Sequence, residues 1–223
     1  PPPEVAAECR RIGLDFFALT DHRKYEPSLD AARAFDGVEI DLRIFPGEEV
    51  HAPANPVHVV NFGGSRSVNA LFAGEEAEAA WRREAAARAE ALPDLPPGAD
   101  REAYASSVMV FEKIRECGGL GVFCHPYWFA GSRYDAPVPL TNALLEHRPF
   151  DALEVIGGFH RGEVESNTLQ VARYHEERAR GGPLPAVGAS DAHGCRRGVL
   201  FGWYYTIVFA PTCGLSDLCL LYT

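Results

Sequence analysis

Short apolar stretches alternate along this chain with segments that have the periodicity of amphipathic helices, and this alternation restricts the fold more than any other feature. Strands separated by helices are typical of parallel βαβ units, so the pattern predicts an α/β fold. Strands are predicted over 14–20, 42–45, 56–62, 120–124, 152–156, 184–189 and 204–209. Helices are predicted over 4–12, 28–35, 140–147 and 167–179, with a further helix that Asp100 can cap.

The segment 66–99 differs from the rest of the chain because it is rich in Ala, Glu and Arg. This composition favours helix, and we expect a helical insertion that either covers the site as a small cap or lies on the surface as a solvated helix. The predicted domain then consists of 1–65 and 100–210, and the tail 211–223 shows no pattern.

Composition excludes some classes of function. The chain has 223 residues and a formal net charge of −10, which argues against general binding to nucleic acid or to anionic membranes. No apolar run approaches the roughly 20 residues of a membrane span. The six cysteines form no Cys-x-x-Cys pair, so we expect reduced thiols and a cytoplasmic protein.

Polar residues of the kind that bind metals collect where predicted strands end. His22 follows strand 14–20, and His125 follows strand 120–124. An α/β fold places its chemistry at the carboxyl ends of its strands, so these side chains should meet. The candidate metal ligands are His22, Glu49, His58, His125, Asp191 and His193.

These residue types suit a metal site. Imidazole nitrogens and carboxylate oxygens bind Zn, Mn and Fe, and a carboxylate such as Glu49 can bridge two ions. Pro126 is expected to hold His125 in an extended backbone. Asp191 and His193 are two residues apart, so an extended segment would point both to the same side. The joint placement of the six residues predicts a metal site.

The motifs that carry these residues resemble the PHP family, the polymerase-and-histidinol-phosphatase domain. They are GLDFFALTDH (13–22), FPGEEVH (45–51), NPVHVVNFGG (55–64), GGLGVFCHP (118–126), FDALEVIGG (150–158) and LPAVGASDAHG (184–194). The resemblance implies a distorted (β/α)7 barrel with two or three Mn, Zn or Fe ions at its carboxyl-end face. The His-x-His motif of the family's first strand does not precede Glu4, so we expect that strand to be missing and both ends to be clipped.

By position, the resemblance assigns His22 to the Thr-Asp-His motif, His125 to the His-Pro motif, and Asp191 and His193 to the final Asp-x-His pair. Glu49 matches the bridging carboxylate and ranks above its neighbour Glu48. His58 matches the histidine that precedes an apolar run. His51 and His160 are candidates for outer positions around these ligands.

The resemblance implies a phosphoesterase that hydrolyses a small phosphate ester or a nucleotide end through a metal-activated water. Asp191 or His193 would position or deprotonate the water, and Arg23, Arg161 and Arg196 would grip the phosphate. Two alternatives remain open. One is a carboxylic or carbamate ester hydrolase with the same metal centre. The other is a non-catalytic PHP module or an inactive fragment.

Overall fold

Helices and strands alternate in the computed structural model, which describes residues 1–130, 132–158, 164–196 and 199–220, and the predicted α/β class is confirmed. The helices are α1 (Pro2–Arg11), α2 (Glu26–Arg33), α3 (Glu75–Glu90), α4 (Arg101–Glu116), α5 (Val138–His147), α6 (Val164–Ala179) and α7 (Leu215–Leu220). The strands are β1 (Phe16–Ala18), β2 (Arg43–Phe45), β3 (Gly47–Val50), β4 (Val59–Phe62), β5 (Leu120–Phe123), β6 (Phe129–Ala130), β7 (Arg133–Tyr134), β8 (Ala152–Gly157) and β9 (Ala186–Ala189).

The central sheet has the order β3-β4-β5-β8-β9. Strands β5, β8 and β9 are parallel, as predicted, but β3, β4 and β5 run antiparallel to one another, so the prediction of parallel units is wrong for this half. Connectivity explains the difference. No helix lies between β3 and β4, and two helices, α3 and α4, lie between β4 and β5. A single crossover helix carries the chain back to the end of the sheet where the previous strand began, so the next strand runs parallel to it. Two successive helices bring the chain to the end where the previous strand finished, so the next strand runs antiparallel.

The other strands do not close this sheet into a ring. β1 pairs with β2 in a separate parallel sheet, and a single bridge between His22 and Glu49 connects the end of that pair to β3. Within the described ranges the main sheet is therefore open, and the predicted closed barrel is not observed.

The predicted final strand over 204–209 is wrong. Among the described residues, a side chain makes the hydrogen bonds between this segment and β9. The Thr206 hydroxyl donates to the Gly188 carbonyl at 2.9 Å and accepts from the Gly188 amide at 3.0 Å. The hydroxyl therefore satisfies both backbone groups that a paired strand would satisfy. The exposed fractions alternate here, with Phe209 88% exposed.

The helical insertion shares the main core. On α3, Trp81 is buried and its indole donates to the Ser106 hydroxyl at 2.9 Å, which ties α3 to α4. Phe72, just before α3, meets Trp81 edge to face with ring centroids 5.0 Å apart. The insertion is therefore not a fully solvated helix. Asp100 caps α4 as predicted, because its carboxylate accepts from the Ala103 amide at 3.0 Å.

Three smaller features complete the fold. Among the described residues the cysteines form no disulfide, and Cys9, Cys117 and Cys124 are buried free thiols. The tail, for which the sequence predicts no pattern, contains helix α7, and its Leu218 is buried. No helix in the described part of the chain combines the length and the apolar character needed to cross a membrane.

Candidate metal centre

The antiparallel pairing of β4 with β5 brings two predicted ligands together. His58 immediately precedes β4 and His125 follows β5, and the register pairs Val59 with Phe123. The Cys124 amide donates to the His58 carbonyl at 3.2 Å and extends this pairing by one step. As a result, His58 Nδ1 lies 3.0 Å from His125 Nε2, although 67 residues separate them in the chain.

Backbone hydrogen bonds fix the loop of His22 against β3. The Glu49 amide donates to the Asp21 carbonyl at 3.1 Å, and the Arg23 amide donates to the Glu49 carbonyl at 2.9 Å. His22 is held between these bonds, with its Nδ1 3.5 Å from Glu49 Oε2. The Thr-Asp-His loop and the Pro-Gly-Glu strand thus meet at Glu49.

Glu49 is the centre of the cluster. Its side chain is 4% exposed, and its Oε1 lies 3.0 Å from His58 Nδ1, 3.2 Å from His51 Nε2 and 3.8 Å from His125 Nε2. Despite these short distances, Oε1 is buried without a hydrogen bond of adequate geometry. Leaving a buried carboxylate oxygen in this state is costly, and a cation between it and the imidazoles would satisfy it.

The neighbouring carboxylate, Glu48, has a different environment. It is buried and accepts hydrogen bonds from the Val68 amide and from the side chains of Asn61, Ser67 and Asn69. Its oxygens are saturated by neutral donors, so it holds the loop that precedes α3. This supports ranking Glu49 above Glu48 as the ligand.

Of two further spacings between imidazole nitrogens, one matches that of two ligands on one metal ion and the other is shorter. His22 Nδ1 lies 2.8 Å from His51 Nε2, and His22 Nε2 lies 3.2 Å from His193 Nε2. Two nitrogens bound to one tetrahedral zinc ion at 2.0–2.1 Å are roughly 3.3 Å apart. Two ligand groups share one glutamate: His22, Glu49 and His51 form one, and Glu49, His58 and His125 form the other.

Glu154 on β8 orients His125. Its Oε2 lies 3.2 Å from His125 Nδ1 and 3.3 Å from the His125 amide nitrogen. With Nδ1 engaged by a carboxylate, Nε2 is turned toward Glu49, an arrangement that metal-binding histidines commonly have. Cys124, His125 and Glu154 form a third close group of ligand-type atoms. Burial raises the pKa of the Cys124 thiol well above its usual value, so this cysteine is a protonated, apolar neighbour.

Electrostatic effects in the cluster are strong. Burial alone would raise the pKa of Glu49, but the close imidazoles of His51 and His58 hold it far below its ordinary value. Burial would lower the pKa of His125, but Glu154, Asp191 and Glu49 raise it to about 10. Burial raises the pKa of Asp191 to about 6, against the opposing charge of His125. In the metal-free protein, a proton on His125 therefore offsets part of the charge of the buried carboxylates.

Asp191 and His193 follow β9 and face the same cleft as His22 and Glu49. His193 Nδ1 lies 2.9 Å from the Asp191 carbonyl oxygen, and its Nε2 points at His22. Asp191 has a φ of +48°, so the predicted extended segment is wrong here. The pair reaches the site through a left-handed turn, not through the alternation of a strand.

The backbone of His125 also departs from the prediction. Its φ is +24°, so Pro126 does not hold it in an extended conformation. The restriction imposed by a following proline concerns the helical region, and it leaves other conformations accessible. Arg23 is similar, with a φ of +60°. Three non-glycine residues at this site have positive φ, and such conformations cost about 1–3 kcal/mol each and cluster at functional sites.

Two of the three arginines that are predicted to bind phosphate lie among the described residues. Arg23 is exposed and lines a cavity of about 660 Å³ together with His51 and with Phe72 and Glu78 from the insertion. Arg196 is exposed, three residues after His193. Arg161 and His160 lie outside the described residues.

Two members of the cluster have only weak signals in the sequence. His51 was considered only for an outer position, yet its Nε2 is as close to Glu49 as that of any candidate ligand except His58. The available signal was its position two residues after Glu49, since alternate residues of an extended segment share a face. Glu154 was missed entirely. Its signal was a lone charge inside the apolar strand ALEVIGG.

Comparison with known proteins shows the type of fold. The chain is similar to the structure of a candidate metal-dependent phosphoesterase from Bifidobacterium adolescentis, with a TM-score of 0.56 and 18% identity over 92% of this chain and 86% of that one. It also matches a two-domain protein from Bacteroides vulgatus that contains a predicted PHP-like metal-dependent phosphoesterase, with a TM-score of 0.47 and 19% identity. The second match covers 85% of this chain but only 46% of that protein.

No family model matches the chain, and no curated protein matches it. The fold is similar to that of the candidate metal-dependent phosphoesterase from Bifidobacterium adolescentis. At 18% identity the likeness shows the fold alone, so function has to be argued from the site.

Proposed function

We propose that this chain is a metal-dependent phosphoesterase that hydrolyses a small phosphate ester or the end of a nucleotide chain. One observation carries the proposal: the buried Oε1 of Glu49 has no hydrogen bond, while imidazole nitrogens of His51, His58 and His125 approach it to 3.0–3.8 Å. An oxygen and nitrogen donor set of this kind suits Mn, Zn or Fe.

Two ions would be held on either side of Glu49. His22 and His51 would hold one ion together with Glu49, and His58 and His125 would hold the other. The charge balance supports this number. Five histidines and the three carboxylates of Glu49, Glu154 and Asp191 collect at the site, so with neutral imidazoles the cluster has a formal charge of about −3 that divalent ions would offset.

Divalent ions in such a centre activate water and neutralise charge that develops on a phosphoryl oxygen. The protein's own contribution would be orientation. Glu154 fixes the ring of His125, and the backbone bonds of Asp21 and Arg23 fix His22. Asp191 and His193 line the same cleft, where a carboxylate and an imidazole would position the attacking water and accept its proton.

Arginine side chains would bind the phosphate. Arg23 lies at the mouth of the cavity beside His51, and Arg196 follows the Asp191–His193 turn. A guanidinium can donate two parallel hydrogen bonds to a phosphate, which a lysine cannot do with the same geometry. Arg161 is kept as a third candidate.

We further propose that the open sheet corresponds to part of a distorted (β/α)7 barrel. A cleft of about 1070 Å³ supports this: it is lined on one side by β4, β5, β8 and β9, which contribute Val60, Val122, Ala152 and Val187, and on the other by β1. Strands that face one another across a shared interior are expected of such a barrel.

The experiment is a panel of esters assayed with added Mn, Zn or Fe. Hydrolysis of phosphomonoesters that a chelator abolishes and metal restores is the expected result. Cleavage of carboxylic or carbamate esters alone would assign the same centre to the alternative chemistry. Absence of metal binding together with absence of turnover would indicate a non-catalytic module.

A further inference from the structure

The loop that follows His125 carries four aromatic side chains, and no step proposed above uses them. We define the aromatic ledge as Tyr127, Trp128, Phe129 and Tyr134. The Trp128 ring meets the His125 ring edge to face at 6.3 Å between centroids. Tyr134 contacts both Tyr127, at 5.7 Å, and Phe129, at 5.4 Å. One ring contact therefore joins the ledge to a proposed metal ligand, and the other two lie within the ledge.

Hydrogen bonds hold the backbone of the ledge. The Trp128 amide donates to the His125 carbonyl at 2.9 Å, and the Trp128 carbonyl accepts from the Asp135 amide at 2.9 Å. Strands β6 and β7 pair Phe129 with Tyr134. Buried Tyr127 anchors the base of the loop. The rings therefore have a fixed relation to His125, as a binding surface requires.

The outer rings are accessible. Phe129 is 52% exposed, and Trp128 and Tyr134 are half-buried, whereas the aromatic side chains of α4 and β5 lie in the core. Single exposed hydrophobic side chains are ordinary on protein surfaces. Here the accessible ring of Trp128 contacts a proposed metal ligand, and Phe129, next to it in the chain, contacts Tyr134. The direct contact of an accessible ring with a proposed metal ligand is what points to a bound group.

We propose that the aromatic ledge stacks on an aromatic ring in the alcohol part of the substrate, either a nucleobase or a phenyl group. Flat π faces attract one another in offset or edge-to-face geometry, and stacking of this kind tolerates different ring types. The inference rests on the proposed phosphoesterase function, because it places the scissile phosphate at Glu49 and His125 and the ring beside Trp128. The ledge selects aryl and nucleoside phosphates over alkyl phosphates.

The test compares kcat/KM for phenyl phosphate, adenosine 5′-monophosphate and glycerol phosphate. In Trp128→Leu and Phe129→Leu, which keep apolar bulk without a ring, we expect kcat/KM to fall on the order of ten-fold for the two ring-bearing esters and to change little for glycerol phosphate. Phe209→Leu is the control, since it removes a ring outside the ledge that is more exposed, 88% against 52% for Phe129. Equal losses on all three esters, or no loss on any, would overturn the proposal.

A binding measurement separates this inference from the proposed function. Trp128 is one of three tryptophans, and a ring stacked on it should quench its fluorescence. Adenosine 5′-monophosphate or phenyl phosphate should quench the full chain, glycerol phosphate should not, and Trp128→Phe should lose the signal. Which ring-bearing compound quenches at the lower concentration tells nucleobase from phenyl. Quenching without turnover of any ester would refute the phosphoesterase but retain the ledge, and turnover without ring-dependent quenching would refute the ledge alone.

Discussion

Two adjacent glutamates on β3 allow a paired test of the metal centre. Glu49→Gln removes the negative charge that both ligand groups share, and Glu48→Gln makes the same chemical change one residue away. Successive residues of a strand point to opposite faces, so the two substitutions act on different surroundings. We expect Glu49→Gln to remove metal binding with little effect on folding. We expect Glu48→Gln to destabilise the fold with little effect on metal binding.

The magnitudes follow from the contacts. Each Glu48 oxygen accepts from two donors, so whichever oxygen becomes an amide nitrogen leaves two donors unpaired. At about 1.5–3 kcal/mol for each hydrogen bond to a charged group, the cost is about 3–6 kcal/mol, out of a total stability of about 5–15 kcal/mol. Loss of a partner outside the metal shell lowers metal affinity by about 10–100-fold, so loss of the shared ligand Glu49 should cost at least about 100-fold.

Calorimetric titration with Zn or Mn gives the affinity, and denaturant unfolding of the metal-free protein gives the stability. Wild type and Glu48→Gln should bind with similar affinity once folded, whereas Glu49→Gln should unfold near the wild-type midpoint and bind at least about 100-fold more weakly. Unchanged affinity in a folded Glu49→Gln variant would refute the reasoning, because the shared carboxylate is its basis.

Three further predictions concern the surroundings of the cluster. Glu154→Gln should weaken metal binding about 10–100-fold in calorimetry, because the ring of His125 loses its carboxylate partner, and an unchanged affinity would exclude that role. The pKa of His125 is raised from 6.5 to about 10, so its contribution to stability is complete below pH 6.5 and is lost as the pH rises through about 10. The melting temperature of the metal-free protein should therefore fall between pH 7 and 10, and less steeply in Glu154→Gln; equal slopes would contradict the assignment. Asp100→Ala should cost about 1 kcal/mol in unfolding experiments, since α4 loses its cap.

The sequence supported the α/β class and the approximate position of most elements, because apolar periodicity and helix caps are local signals. Helix α4 shows this: Asp100 caps it as predicted, and its apolar stripe of Tyr104, Phe111 and Ile114 is buried. The direction of the strands, by contrast, is not determined by local sequence signals. The antiparallel half of the sheet depends on two successive helices between β4 and β5, and an alternating pattern does not show whether a crossover contains one helix or two.

The candidate site likewise combines features that the sequence pattern predicts with features that only tertiary contacts determine. His22, Glu49, His58 and His125 come together because strand ends bring them to one edge, which the pattern predicts. The positive φ at His125 and Asp191 could not be predicted, because neither residue is glycine and tertiary contacts impose the conformation. Glu154 was hidden by its place inside an apolar strand, where only the three-dimensional contact with His125 shows its role.

The most direct test is a crystal structure of the full chain soaked in Zn or Mn, with anomalous scattering recorded at the metal absorption edge. We predict anomalous peaks on both sides of the Glu49 carboxylate, about 2.0–2.2 Å from its oxygens and from imidazole nitrogens of His51 or His22 and of His58 or His125. A soaked crystal with no anomalous peak within coordination distance of Glu49 would contradict the metal centre and the function proposed from it.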